Sequence, residues 1–334
     1  MIRYYPVLKW KKGEQLALKN LTSEQQKGIM PIIELVDPTS PEEFFNTLQG
    51  ISCPVYIDTE NIDSNEYEYL TSIVEQAREN DKPVYPVIPV SLVEAKTPKS
   101  SLLERCLFKI PVIPEEDEPN VGEIIEKIKA LGVAEYGVIL DIGPSVKREF
   151  LGLQRTALLT LLTSQKDFLL GTRAVIVCTS SFPSDISDIG GGEERQYKRY
   201  DFSLFYRTVS ALEGDELLHK LAYADYGVSK YTETELDFSR LRYGILPKIK
   251  YSTPTEYIVL KGKRQQGILT ISYKELAQTI LNAPYYSGRE FSYGDECIYN
   301  IANSADKSGN STNWVTYCAN HHIVLVLGQI SSLF

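Results

Sequence analysis

Only three histidines, two tryptophans and two methionines occur in the 334 residues. The five cysteines (Cys53, Cys106, Cys178, Cys297 and Cys318) are widely spaced and form no CxxC pair. An odd, scattered set excludes a disulfide framework as the organising feature and points to buried, reduced thiols. Basic charge is in deficit: 35 Lys and Arg stand against 44 Asp and Glu, a formal net charge of -9. A general nucleic-acid surface needs a positive face, so nucleic acid is disfavoured as a partner. Long apolar runs are lacking too. The run at 323–327 near the carboxyl end falls far short of the ~20 residues that a membrane span requires. Residues 1–6 enter a strand pattern with no apolar signal-peptide region, which points to a cytoplasmic chain.

What the chain does have is alternation of short β-rich runs with amphipathic stretches. Strands are expected at 5–9, 31–35, 55–58, 84–89, 137–142, 174–179, 222–225 and 244–250. Most are near-continuous in apolar and β-branched residues, as parallel strands covered on both faces should be. Pro86, Pro89 and Pro247 each remove a ladder donor and weaken the runs that hold them. Between the strands, Ser40-Pro41-Glu42-Glu43 reads as a capped helix start, and 67–80, 121–130, 151–162 and 203–212 read as helices. Eight such units predict an α/β fold, a TIM-like (β/α)8 barrel over residues 1–254. A doubly wound open sheet is the runner-up, although no glycine fingerprint follows the first strand. After residue 254 the rhythm changes to a strand at 256–261, a helix at 272–282, a polar loop at 287–310 and a final segment at 313–327. Residues 255–334 are expected to be a carboxyl-terminal extension packed on the barrel.

In barrels, chemistry resides at the carboxyl ends of the strands. Lys9, Glu34, Asp58 with Glu60, Asp141, Asp225, and Lys248 with Lys250 all end strand runs. Carboxylates converging there could bind a divalent cation, which takes oxygen ligands, and lysines could neutralise a phosphate or carboxylate. No HExxH motif supports a metal centre. The alternative is that these charges flank strands, cap helices or pair with one another. The 180–200 segment combines Gly190-Gly191-Gly192 with Arg195, Lys198 and Arg199, a composition suited to a lid over an anionic ligand or to a surface insertion. His321 and His322 are adjacent, so they cannot point the same way on a helix or a strand. His321 is the one expected at the mouth as a general acid or base; the alternative is that Asn320 and His321 satisfy buried backbone groups at the seam between extension and barrel. Trp10, among lysines, could stack on a base, but it is the one such patch.

Tyr5-Pro6-Val7-Leu8-Lys9-Trp10-Lys11, Gly13-Glu14 and Pro31-Ile32-Ile33-Glu34 open an ordered series of motifs. It continues through Asp58, the Asp141 strand and Arg199-Tyr200-Asp201 to Gly309-Asn310, Trp314 and Asn320-His321-His322-Ile323. Over essentially the whole chain this series resembles the phage beta protein family. The resemblance implies a setting in phages and bacterial genomes, including anti-phage defence, and no defined activity. Phe202 and Phe205 stand where the family more often carries tryptophans, which keeps an aromatic face. Two functions are therefore expected. One is an enzyme, hydrolytic in character, acting on a phosphate- or carboxylate-bearing small molecule through Lys9, Glu34, Asp58, Asp141, Lys248 and His321. The other is a non-enzymatic protein that uses the same mouth to recognise a protein partner or a small anionic signal.

Overall fold

Two-residue alternation along short buried strands organises the protein. The computed structural model describes residues 2–60, 62, 66–95, 98–113, 120–143, 146–230, 246–304 and 308–334. In chain order the strands begin with β1 (Tyr4–Lys9), β2 (Ile32–Glu34), β3 (Val55–Asp58), β4 (Val84–Pro89), β5 (Leu107–Pro111), β6 (Gly137–Asp141) and β7 (Val175–Thr179). Then follow β8 (Glu194–Lys198), β9 (Leu221–Asp225), β10 (Lys248–Ser252), β11 (Glu256–Lys261), β12 (Lys263–Gln265) and β13 (Ile268–Ile271). Strands β1 to β7 and β9 form a closed parallel barrel, sealed by the pairing of β1 with β9. Helices α1 (Lys12–Lys19), α2 (Ser23–Lys27), α3 (Pro41–Thr47), α4 (Glu66–Glu79), α5 (Val90–Ala95), α6 (Val121–Ala130), α7 (Leu151–Ser164), α8 (Lys166–Leu170) and α9 (Tyr200–Ala211) lie in its connections. The fold is a TIM-like (β/α)8 barrel.

Seven of the eight barrel strands coincide with expected ones. The remaining one is β5, whose run Leu107-Phe108-Lys109-Ile110-Pro111 is broken by a lysine and closed by a proline. The run at 244–250 is not a barrel strand. Gly244 and Ile245 lie outside the described residues, and β10 pairs antiparallel with β11, which in turn pairs antiparallel with β8. The burial of β10 alternates from Lys248 to Tyr251, as in a strand with one covered face. Pro6 of β1 and Pro86 of β4 sit where each strand changes partners, and Pro89 closes β4. Tyr4–Pro6 pair with β9 and Val7–Lys9 with β2; Val84–Pro86 pair with β3 and Val87–Pro89 with β5. A missing donor costs little at such a changeover.

The second layer is built from the β10–β11–β8 sheet and three helices: α10 (Tyr273–Leu281), α11 (Tyr293–Asn303) and α12 (Ser311–Ser331). It draws β8 from the β7–α9 connection, and residue 254 falls in the β10–β11 turn. The polar stretch at 287–310 holds α11 rather than a continuous loop. Ser292 caps this helix by accepting from the Asp295 N–H, and Ile298, Ile301 and Ala302 bury its inner face. Helix α12 is buried around most of its circumference, against α1, α11 and β10.

Close backbone approach fixes α12 in place. A Cβ on Gly294 would meet the Tyr317 carbonyl oxygen at 2.1 Å, and one on Gly13 would meet Val315 at 2.7 Å. Asn320 ties both neighbours, accepting from the Gly294 N–H at 3.1 Å and donating to the Ala17 carbonyl at 3.0 Å. Gly294→Ala should therefore lower stability by roughly 1–3 kcal/mol, the usual cost of overpacking, read as a reduced urea midpoint at unchanged slope.

Candidate functional site

The interior of the barrel is lined by Val7, Ile32, Tyr56, Leu107, Ile139 and Ile176, one from each of six strands. Two residues further along each strand, on the same face, stand Lys9, Glu34, Asp58, Lys109, Asp141 and Cys178. The inner layer at the carboxyl end of the barrel is thus ionisable almost all the way round. All six are described, and none is more than slightly exposed. The Lys9 ammonium donates to Glu34 Oε2 at 3.1 Å. Lys109 Nζ lies 2.7 Å from Glu60 Oε2, 3.4 Å from Asp58 Oδ2 and 3.8 Å from Asp141 Oδ2. Asp58 and Asp141 also accept the N–H groups of Glu60 and Gly143, at 3.0 and 2.9 Å, which shapes the loops after their strands.

Burial pushes the Glu34 carboxyl up to about 7, against the pull of Lys9 and with Asp58 adding to the rise. Burial also raises Glu60, with Asp58 and Asp141 contributing and Lys109 opposing. For Lys109, burial works to lower the pKa, yet Asp58, Tyr226, Asp141 and Glu60 together hold it well above the ordinary lysine value. Burial raises the Cys178 thiol well above its usual range, so it is not poised as a thiolate. Among the described residues no group of three or more His, Cys, Asp or Glu is disposed to hold a metal ion. The cation within 4 Å of Asp58, Glu60 and Asp141, among the described residues, is the Lys109 ammonium. Lys109 and Glu60, with side chains 13% and 40% exposed, are the members of this set that reach solvent. The sequence reading missed Lys109. Its signal was a lysine inside an apolar run, as at Lys9.

Asp225 does not join this layer. On β9, Ala222 and Ala224 face inward while Leu221 and Tyr223 pack outside, so the next outward position is Asp225. It accepts from the Tyr4 hydroxyl at 3.1 Å, faces His322 Nε2 at 3.1 Å and lies 3.9 Å from Arg199. Burial works to raise this carboxyl, but His322, Arg199 and Tyr4 outweigh it and hold it below the ordinary value. His322 Nδ1 meets the Ser252 hydroxyl at 2.7 Å, and His321 Nε2 donates to the Ser252 carbonyl at 2.8 Å. The other nitrogen of His321 faces Asp295 at 2.7 Å, whose carboxylate also accepts from Tyr251 and Ser292. The adjacent histidines leave α12 in different directions and converge on one serine of β10. Ser252, His322 and Asp225 have the composition of an acyl-transfer triad, but their exposures are 0, 1 and 1%. Each of the three is also tied into the contacts that join α12, β9 and β10. The group is a clamp between α12, β9 and β10, and His321 belongs to it rather than to the barrel mouth.

The remaining candidates are dispersed. Lys248 and Lys250 lie on β10 in the second layer. Arg195 is on β8, paired with Asp188 and, at 3.8 Å, with Glu193. Arg199 is buried in the clamp, donating to the Thr253 carbonyl at 3.1 Å and to Gln329 at 2.8 Å. The 180–200 segment is anchored by buried Phe182, Ile186 and Ile189 rather than hanging as a lid. The Trp10 indole is buried against Phe44 and donates to Thr47 at 2.7 Å, which leaves no open face for a base.

Fold and site together define a parallel (β/α)8 barrel protein with a charged inner layer at its mouth. The chain belongs to the Beta protein family, whose model matches residues 4–328. No curated protein matches it in sequence. Among solved structures it is similar to the biosynthetic arginine decarboxylase of Campylobacter jejuni, at 9% identity and a TM-score of 0.44, over 99% of this chain and 56% of that one. It is also similar to the arginine decarboxylase of Paramecium bursaria Chlorella virus, at 9% identity and a TM-score of 0.38, over 67% of this chain and 57% of that one. A probable 2-pyrone-4,6-dicarboxylic acid hydrolase from Acinetobacter baumannii gives 12% identity and a TM-score of 0.35, over 63% and 77%. The chain spans little more than half the length of either decarboxylase, and likenesses this distant carry no inference about activity.

Two stability experiments follow from these electrostatics. Glu34 holds its proton more tightly folded than unfolded, so its contribution is present below pH ~4.5 and is lost as pH rises through about 7. Glu34→Gln should remove a fall of up to about 3 kcal/mol across that window in pH-dependent denaturation curves. Asp225 behaves oppositely: its contribution is present above its unfolded value and is lost as pH falls through the depressed folded one. Asp225→Asn should cost roughly 3 kcal/mol or more at neutral pH, because Arg199 loses a buried counter-charge and His322 its carboxylate partner, and should flatten the acid limb.

Proposed function

We propose that the barrel mouth is an enzyme centre that binds a phosphate- or carboxylate-bearing small molecule and moves a proton on it. Hydrolysis is the reaction class that fits best. The observation that carries this reading is the buried Glu34 carboxyl, pushed up to about 7 in a layer that also holds Lys9 and Lys109. A general acid or base works best when its pKa lies near the operating pH. In this scheme the substrate anion meets Lys109 at the solvent edge, Glu34 takes a proton from the attacking water, and that proton returns to the leaving group. Asp58 and Asp141 keep Lys109 charged and aimed. Neither Asp225 nor His321 takes part.

A second reading is supported by one feature of the same layer. Asp58, Glu60 and Asp141 are each already within 4 Å of Lys109, as a purely structural or recognition site would have them. In that case the mouth recognises a small anion or a protein partner without turning it over. The setting we propose, on the family resemblance alone, is the cytoplasm of a bacterium, in phage biology or defence against phage.

Incubation with a bacterial metabolite extract, followed by mass spectrometry, separates the readings. The expected result is that the wild type consumes at least one phosphate- or carboxylate-bearing species. Glu34→Gln should slow this by about 100-fold or more, and Asp141→Asn should abolish it in a folded protein. Consumption should rise with pH through about 7, as the base form of Glu34 accumulates. A species retained by the protein but unchanged would favour recognition. Equal consumption by Glu34→Gln would contradict the assignment.

A further inference from the structure

Lys248 and Lys250 end in a different place from the one their sequence position suggested, and that place is a cavity. A space of about 310 Å³ lies between β10, the first turns of α12 and the segments around Ile186 and Val228. It shares no lining residue with the barrel mouth. Three lysines line it: Lys230, Lys248 and Lys250. Asp185 is the one carboxylate among the described lining residues, and its two oxygens accept the Ser187 N–H at 2.8 Å and the Ser187 hydroxyl at 2.7 Å. In a chain with a net charge of -9 this is a local reversal of sign.

Among the described residues neither Lys248 nor Lys250 forms an ion pair with a carboxylate, although Asp185 lies near enough to Lys248 to favour its charge. Lys250 Nζ donates to the Val228 carbonyl at 3.0 Å and lies 4.8 Å from the centre of the Phe182 ring. Glu14 is the acidic group nearest in influence to Lys250, and it accepts from the Ser229 hydroxyl at 2.8 Å. The Lys248 ammonium makes no hydrogen bond or ion pair among the described residues. Lys261, beside it, donates to the carbonyls of Ser187 and Ile189 at 3.3 and 2.6 Å. Ser311, in the first turn of the 21-residue helix α12, adds the positive end of a long helix to the same wall. Burial that is not matched by counter-charge is costly, and an incoming anion relieves it.

Apart from Ser187, Ser229 and Ser311, the rest of the wall is largely apolar and aromatic. Tyr273 and Trp314 stack at 5.2 Å with an interplanar angle of 14°, and Ile186 and Val228 also line the cavity. The volume is at the lower end of the range for small-molecule pockets, enough for one ring and a charged head. We propose that this cavity is a second ligand site, which takes a small organic anion. Its phosphate or carboxylate head meets Lys248 and Lys250, and its planar apolar body lies against the Tyr273–Trp314 wall.

Trp314 is one of two tryptophans, so Trp10→Phe leaves it as the sole indole reporter. In that background, full-length protein is titrated with phenyl phosphate, benzoate, inorganic phosphate and neutral benzyl alcohol, with Trp314 fluorescence as the signal. Saturable quenching by phenyl phosphate or benzoate at micromolar to millimolar concentration is expected, and whichever binds more tightly identifies the head group. Lys248→Met, at the more accessible lysine, should weaken binding by about tenfold or more, with the thermal midpoint reported alongside to show that it folds. Lys250→Met should do the same. Benzyl alcohol should not saturate, and inorganic phosphate should bind more weakly than phenyl phosphate. Three results would overturn the proposal: no saturable response to either aromatic anion, equal affinity for benzyl alcohol, or an unchanged affinity in folded Lys248→Met.

Discussion

A charge removed from water must be met by opposite charge or by a full set of hydrogen bonds, and this constraint shapes both polar regions of the protein. The desolvation penalty amounts to several kcal/mol per ion. In the barrel, six strands carry an apolar residue on the inner face and an ionisable one two positions later. Lys9 with Glu34, and Lys109 with Asp58, Glu60 and Asp141, are the compensations that make such a layer tolerable. Compensation is incomplete at Glu34, where burial outweighs the ion pair and leaves the carboxyl close to neutrality in pKa.

The same rule operates outside the barrel wall. Asp225 faces away from the interior and would be an isolated buried carboxylate without His322, Arg199 and Tyr4. Those partners come from α12, from the residue before α9 and from β1. One carboxylate therefore joins the carboxyl-terminal helix to the barrel, and Asp295 does the same for His321 and α11. Packing reinforces the electrostatics, since glycines at 13 and 294 let α12 approach its neighbours at backbone distance. The second layer is thus tied to the barrel by both charge and packing.

Much of this was legible in the chain. The runs ending at Lys9, Glu34, Asp58 and Asp141 combine apolar continuity with a terminal charge, and the mouth contains all four. The run ending at Pro111 was hidden because a lysine and a proline broke its pattern, although Lys109 at an inward position is central to the site. Asp225 was misplaced for a different reason. Strand-end position alone does not decide which face a residue occupies, whereas counting by twos from Ala222 does. Lys248-Ile249-Lys250-Tyr251 alternates polar with apolar, the signature of a half-covered antiparallel strand, and it departs from the continuous runs of the barrel. A seam role for Asn320 and His321 was one of the readings the chain allowed, but the particular side-chain partners of His321 and His322 were not readable. Ser252, Asp225 and Asp295 reach them from 26 to 97 residues away along the chain, and such distant partnerships leave no local trace.

The central claim is that Glu34 sits in a layer where desolvation prevails over its lysine partner. Site-resolved carbon NMR of the Glu34 side-chain carboxyl, followed through a pH titration and assigned with Glu34→Gln, measures this directly. A midpoint close to 7 is predicted. A midpoint near the ordinary glutamate value of about 4.3 would contradict it and would leave the mouth as a neutralised ion-pair network without a group poised for proton transfer.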